Sequence, residues 1–541
     1  VTRPAIPDWH LPLRGWQQAA FAQWYDRRHA DALIVATPGA GKTRFAARVA
    51  HALLSARHVG RVIAVVPREH LKLQLARAMS QAGIVLDHQF SNGAGALAAD
   101  VHGAVVTYQQ VAAAPGLYAH LTAGSPGGAA VFLDELHHAG DQASWGAALR
   151  RSFDRAAHRI ALSGTPFRSD GTPIPFVTYR GGESVADFTY DYAAALRDGV
   201  CRALVFPLHG GDAEWISRDG RAMHASFETG LAPRHQSERL RTALTQPNWV
   251  GDVLQKAHLR LLAIRAAGQR DAGGLVAAMN QDHARFMADL MRRRIGVEPA
   301  VVVSDQDDAS RRITAFARSR EPWIVAVHMV SEGVDIPRLR VGVFASNVVT
   351  EMYFRQFCGR FVRTTGAAGE ARDAFVFVPD DHRIRALAAR ITLDVRAGLR
   401  ERADRIERAE SPARESGDAG LYTSVAAQAV EGQTLDLGPL FNPEVLRAQP
   451  AAAPPPVTAG PAGAPEAEPL THAERKEQLR KAIAGLVAHV SSTFGVDHKL
   501  VHATLNARCG GPVASATGLQ LQARRAVIMQ WLARKAYDGL R

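Results

Sequence analysis

Two series of short apolar runs, each run followed by a stretch with helical periodicity, constrain this 541-residue chain more than any other feature. The first series is ALIVA (32–36), VIAVV (62–66), GAVVT (103–107), VFL (131–133) and RIALS (159–163). The second is GGLVAAM (273–279), AVVVS (300–304), WIVAV (323–327), VGVFAS (341–346) and AFVFV (374–378). Runs without polar alternation are suited to strands buried on both faces, and intervening helices supply the cover a parallel sheet needs. The pattern predicts two α/β units in tandem. The stretch between them, about 170–270, mixes turns, short strands and a helical run.

Residues 448–470 hold seven prolines and are rich in alanine, a composition that cannot build a core and predicts an extended linker. Beyond it, residues 471–541 carry 11 basic and 4 acidic side chains, a net of +7 out of +12 for the whole chain. KLVHATLNARCGG (499–511) reads as a helix closed by a glycine cap. RRAVIMQWLARKAY (524–537) reads as a second amphipathic helix with Val527, Ile528, Trp531 and Leu532 on its apolar side. The expected divisions are 1–170, a connection at 171–270, 271–400, a helical or irregular extension at 401–447, the linker, and a small basic α-helical domain at 471–541.

The positive balance points to a polyanionic partner, nucleic acid before membrane. At 47% hydrophobic residues the chain has ample material for packed cores, yet no apolar run approaches the roughly 18 residues of a membrane span. The first residues lack the apolar centre of a signal peptide. The three cysteines, Cys201, Cys358 and Cys509, are too far apart for a CxxC pair or a disulfide framework. A reduced, cytoplasmic setting is expected.

ATPGAGKT (36–43) follows the run ALIVA and precedes the helical run RFAARVAHALL. It fits the Walker A pattern at Gly41, Lys42 and Thr43, with Ala36 in place of the first glycine. A loop of this kind, Ala36, Thr37, Pro38, Gly39, Ala40 and Gly41, turns amide groups towards phosphates at a helix N-terminus. Lys42 would reach the β- and γ-phosphates, and the Thr43 hydroxyl would ligate Mg²⁺. VFLDELHHAG (131–140) then reads as the acidic partner of that loop. Asp134 would hold Mg²⁺, and Glu135 would orient and deprotonate the attacking water. A zinc site is the rival reading, but adjacent His137 and His138 would diverge and lack the required spacing.

With these residues quoted, the chain resembles superfamily 2 DExH-box helicases, in the XPB/RadD/UvsW-like bacterial branch. DELH is the box. LRGWQ (13–17) resembles the adenine-reading Q motif, with Gln17 as reader; VVPREHLKLQ (65–74) resembles motif Ia and VTYQQV (106–111) motif Ib. SGTPFR (163–168) looks like motif III, VHMVSEGVDIP (327–337) like motif V, and QFCGRFVR (356–363) like motif VI. The resemblance covers about 14–380. It implies two tandem RecA-like domains with parallel sheets, with ATP and Mg²⁺ as cofactors. It makes Arg360 and Arg363 arginine fingers on the transferring phosphoryl group. Gly333 and Asp335 would lie by the nucleotide, and His137, Ser163, Thr165 and Gln356 would couple its state to nucleic acid. Arg68, Gln74, Thr107 and Ser331 would contact the sugar–phosphate backbone of single-stranded DNA or a tailed duplex.

Three classes of function fit these residues: an ATP-driven DNA helicase or translocase, 3′→5′ by the superfamily's common direction; a non-unwinding remodeller or motor subunit in repair or phage defence; and a P-loop small-molecule kinase. A kinase would not need motifs V and VI. An RNA motor remains open, since DExH alone does not choose. The basic tail reads either as an auxiliary DNA grip or as a docking module for a protein partner.

Overall fold

The computed structural model describes residues 3–136, 143–164, 174–181, 183–217, 219–303, 309–327, 336–364, 373–410 and 471–538. Two compact units divide the chain: Val1–Val35 with Gly41–Thr189 and Pro455–Arg541, and Ala36–Ala40 with Tyr190–Pro454.

The first unit opens with α1 (Gly15–Arg27), β1 (Asp31–Ala36), α2 (Lys42–Ser55), β2 (Arg61–Val66), α3 (His70–Ser80) and β3 (Leu86–Asp87). It continues with β4 (Gly103–Thr107), α4 (Tyr108–Ala113), α5 (Pro115–Ala123), β5 (Ala129–Asp134), α6 (Ala143–Phe153) and β6 (His158–Ser163). A small antiparallel pair, β7 (Thr178–Arg180) and β8 (Glu183–Val185), precedes β9 (Phe188–Tyr190). The sheet order is β3-β4-β2-β5-β6-β1-β9, and each pairing from β3 to β1 is parallel. All five residues of β4, and all but the first of β1 and β2, are buried. Helices on the sheet faces account for that, and the strands accordingly carry β-branched and small apolar residues with no polar alternation.

The second unit begins with α7 (Tyr192–Arg197), β10 (Ala203–Val205) and β11 (Leu208–His209). A hairpin of β12 (Asp212–Ile216) and β13 (Ala222–Ser226) follows, then α8 (Pro233–Thr245) and α9 (Pro247–Ala266), each with proline in its first turn. The second α/β series is β14 (Gly273–Ala278), α10 (Gln281–Ile295), β15 (Ala300–Val302), α11 (Ala309–Arg318), β16 (Trp323–Val327), β17 (Leu339–Ala345), α12 (Glu351–Cys358) and β18 (Asp373–Pro379), closed by α13 (His382–Glu410). Its sheet runs β10-β18-β17-β14-β16-β15, parallel throughout, and β11 also pairs with β18. The fold is therefore α/β with two tandem RecA-like sheets.

The C-terminal helices are α14 (His472–Phe494), α15 (His498–Cys509) and α16 (Gly518–Arg534). They close around Ile483, Val487, Val490, Val501, Leu505, Leu521, Ile528 and Trp531. Thr471 and Glu474 form a capping box at the start of α14, and Thr517 and Gln520 do so for α16. Each box satisfies two amides that the first helical turn leaves without partners. Gly510 ends α15 with φ of 79°.

Candidate functional site

The phosphate-type loop leaves β1 and enters α2. Gly39 (φ 81°) and Gly41 (φ 93°) take left-handed conformations that a side chain would strain. No side chain caps α2, so its first amides face the loop. A Cβ on Gly41 would stand 2.8 Å from the Gln17 amide nitrogen. Gln17 is buried; its Nε2 donates to the Gly41 carbonyl at 2.8 Å and its Oε1 accepts from the Arg14 amide at 2.8 Å. The residue expected to read adenine thus also braces the loop against α1.

Across the sheet the acids stand at the end of β5. Lys42 Nζ donates to Glu135 Oε1 at 2.8 Å, and the Gly164 amide donates to Glu135 Oε2 at 3.0 Å. Glu135 carries φ of 47°, a left-handed backbone that costs a non-glycine residue about 1–3 kcal/mol. That kink turns the chain sharply where the strand ends. Sheet register places Asp134 beside Leu162 and Ser163 beside Val35, so β6 lies between the acidic strand and the loop strand. Tyr108 holds this corner from below: its buried hydroxyl donates to the Asp134 carbonyl at 2.9 Å, and its ring stacks on Trp145. Burial, and then the nearby Asp134 and Glu135 charges, keep the phenol well above its usual pKa. Tyr108 was not singled out in the sequence, although it lies within VTYQQV. Lys42, the Thr43 hydroxyl and the Asp134 carboxylate are groups of the kinds that a triphosphate with a hard divalent cation would require.

The other candidates separate by burial. Arg68 and Gln74 are exposed at the end of β2 and on α3. Thr107 is buried, and its hydroxyl caps α4 by accepting from the Gln110 amide at 3.1 Å. That cap is a role its place at the end of GAVVT did not reveal. In the second unit Gln356 lies on α12, and Arg360 and Arg363 follow it. Phe354, Phe357 and Phe361 pack that segment onto the sheet, and Gly342 of β17 makes room: a Cβ there would meet the Phe361 ring at 2.6 Å. The Arg202 amide donates to the Val362 carbonyl at 2.7 Å, and Arg363 bridges to Cys201. The buried Arg202 guanidinium, lowered to about 9 by burial and then by Arg340, donates to the Pro337 carbonyl at 3.1 Å. His137, Thr165, Ser331, Gly333 and Asp335 lie outside the described residues.

Known proteins resemble the chain at two levels. Residues 10–168 match the family model described as "Type III restriction enzyme, res subunit". An uncharacterized protein of Mycobacterium tuberculosis is 37% identical over 568 residues, covering 97% of this chain and 93% of its own length. One from Mycobacterium leprae is 37% identical over 582 residues, covering 98% and 95%. The chain belongs to the same family as these two proteins. Its first lobe, with the loop, the acidic pair and the matched region, is helicase-like of the superfamily 2 type. Among solved structures, a fragment of an HsdR subunit of a type I restriction enzyme from Vibrio vulnificus YJ016 aligns at 18% identity and TM-score 0.47, over 71% of this chain and 66% of that one. Dbp5 of S. cerevisiae, bound to RNA and ADP BeF3, aligns at 13% and 0.44, over 70% and 87%.

In this family member the C-terminal helices pack against the helicase-like lobe, inside the same compact unit. Asp100, buried, is the centre of the contact. It accepts from Lys476 Nζ at 2.9 Å, from the Gly518 amide at 2.7 Å, and pairs with His472 Nε2 at 3.1 Å. Burial alone would raise its carboxyl, but these three donors outweigh it and hold the group well below the carboxylate range. Arg77 of α3 binds Glu474, Arg480 approaches Asp87 at 3.5 Å, and His88 approaches Glu477 at 3.5 Å. Part of the tail's positive charge is therefore spent on the lobe itself, while Arg475, Lys499, Arg525, Arg534 and Lys535 stay exposed.

Proposed function

We propose that this protein is an ATP-driven DNA helicase or translocase of the XPB/RadD/UvsW-like branch, moving 3′→5′ on single-stranded or tailed duplex DNA. The observation that carries the nucleotide half is the Lys42–Glu135 pair at 2.8 Å, which joins the loop to the acidic strand end. Bound ATP with Mg²⁺ supplies the phosphoanhydride whose cleavage drives motion. Lys42 exchanges its carboxylate partner for phosphate oxygens, and Glu135 is released to take a proton from water while the Gly164 amide keeps it oriented. Thr43 and Asp134 would hold the cation, and Gln17 would read adenine from its place against the loop. Gly333 and Asp335 stand by the nucleotide, Arg360 and Arg363 stabilise transition-state charge, and His137, Ser163, Thr165 and Gln356 transmit the change. Arg68, Gln74 and Ser331 grip the backbone. Thr107, whose hydroxyl oxygen caps α4, contacts the same backbone from the end of β4. The net charge of +12 favours a nucleic-acid partner, and the helicase motifs favour DNA over a small molecule.

ATP turnover with and without single-stranded DNA, and strand displacement on tailed duplexes of each polarity, test this reading. Lys42→Ala and Glu135→Gln are each expected to abolish both activities, with Glu135→Gln still binding ATP. Ordinary turnover in Glu135→Gln overturns the assignment. Turnover without displacement on either tail assigns a remodeller instead.

A further inference from the structure

Helices α5 and α6 end side by side around a cleft of about 640 Å³, lined by Ala119, His120, Arg150, Arg151, Ser152 and Arg155 among others. The three arginines are exposed, lie within six residues, and have no side-chain partner among the described residues. Asp154, on the same rim, pairs with none of them. Some exposed arginines elsewhere pair with carboxylates, Arg234 with Asp219, Arg285 with Asp282, Arg292 with Glu298 and Arg390 with Glu351, while others, such as Arg241 and Arg270, have none among the described residues; the three here are set apart by standing together on one cleft. Helix dipoles favour a basic residue in a last turn, which suits His120, Arg150 and Arg151. They do not account for Arg155, which lies beyond the helix on the same cleft.

The cleft is far from the nucleotide. Helix α5 leads into β5 and α6 into β6, so both helix ends lie at the starting edge of the sheet. Lys42, Glu135, Arg68 and Thr107 all lie at the finishing edge. A six-residue strand separates the two edges by about 20 Å. The lining contains no Phe, Tyr or Trp on which an unpaired base would stack, so single-strand recognition is disfavoured. What remains is planar guanidinium forks matched to phosphate oxygens, presented to a partner dense in them. A duplex carries one phosphate charge per ~1.7 Å of axis.

We infer that Arg150, Arg151 and Arg155 form a second nucleic-acid site, which holds the phosphate backbone of duplex flanking the tracked strand. This rests on the motor reading above. The test compares wild type with the triple variants Arg150→Gln/Arg151→Gln/Arg155→Gln and Arg150→Lys/Arg151→Lys/Arg155→Lys. Affinity is measured across a salt series for a 40-base-pair duplex and a 10-nucleotide single strand. The Gln variant should show a duplex slope of log K against log salt shallower by about 0.9 for each phosphate it no longer neutralises, up to about 2.7. Its single-strand slope and its basal ATPase should match wild type, and the Lys variant should keep most of the duplex slope. An unchanged duplex slope, beside intact nucleic-acid-stimulated ATPase, overturns the cleft and leaves the motor standing. Equal reductions on both substrates, or the same reduction in the Lys variant, also overturn it. Wild-type protein that binds neither substrate overturns the motor reading as well.

Discussion

At the scale of single residues, the nucleotide corner depends on how β5 ends. Glu135 bears its left-handed backbone because Lys42 and the Gly164 amide hold its two oxygens. Tyr108 fixes the carbonyl just before it. Tyr108→Phe removes one hydrogen bond to the Asp134 carbonyl without opening a cavity. We expect it to lower stability by about 1 kcal/mol and kcat by roughly three- to tenfold, with KM for ATP little changed. Steady-state kinetics beside thermal unfolding check this; a rise in KM at constant kcat would place Tyr108 in nucleotide binding instead. The carboxylates were legible from DELH, because an acidic pair at a strand end after a phosphate loop has few other uses. Tyr108 was not, because nothing in a lone tyrosine says which carbonyl it will meet.

At the scale of elements, α14 and α3 are joined by charge. Glu474 is lowered to about 2: burial would raise it, but the Arg77 guanidinium and the Thr471 donors prevail. A carboxyl lowered on docking contributes stability that is complete above its ordinary value near 4.5 and is lost as pH falls towards 2. Asp100 works in the same direction, and so does His88, whose imidazole burial keeps neutral against the pull of Asp87 and Glu477. The tail is therefore expected to undock on acidification, and Asp100→Asn to shift the transition to higher pH. Energy transfer between dyes at Ser55 and Ala503, both exposed, reads the separation. Transfer that stays constant from pH 7 to pH 3 would show that apolar contacts hold the bundle. The helices of the tail were partly legible from their apolar spacing and from T-x-x-E at 471–474. Their docking partner was not, because Asp87 and Asp100 look in the sequence like ordinary loop acids.

At the scale of the whole molecule, turnover is expected to need both units, while the tail supports one of them. Arg360→Ala and Arg363→Ala should each cut ATP turnover by about 10³-fold or more and leave DNA binding nearly intact, since such arginines act on the transition state. Wild-type turnover in either variant removes that arginine from the reaction. Truncation to 1–447 keeps both sheets, so basal ATPase should persist. It also leaves Asp100 and Arg77 without their tail partners, so the unfolding temperature of the first unit should fall by several degrees. An unchanged melting curve by calorimetry would show that the bundle adds nothing to the lobe.

The sequence by itself determined the two parallel sheets. GAVVT and WIVAV coincide with β4 and β16, and the other runs meet their strands within a few residues. A strand buried on both faces can be written only in apolar residues, so its position is visible without a partner. The same holds for the loop at 36–43, whose glycines answer a local backbone demand. Only tertiary structure decided the rest. The use of Gln17 as a brace, of Thr107 as a cap and of Arg202 as a donor to Pro337 depends on which polar atoms the fold brings within about 3 Å. The tail's charge was legible as a sum, yet its distribution was not. Pairing consumes charge through contacts hundreds of residues apart, such as Asp100 with Lys476, and no local pattern records them.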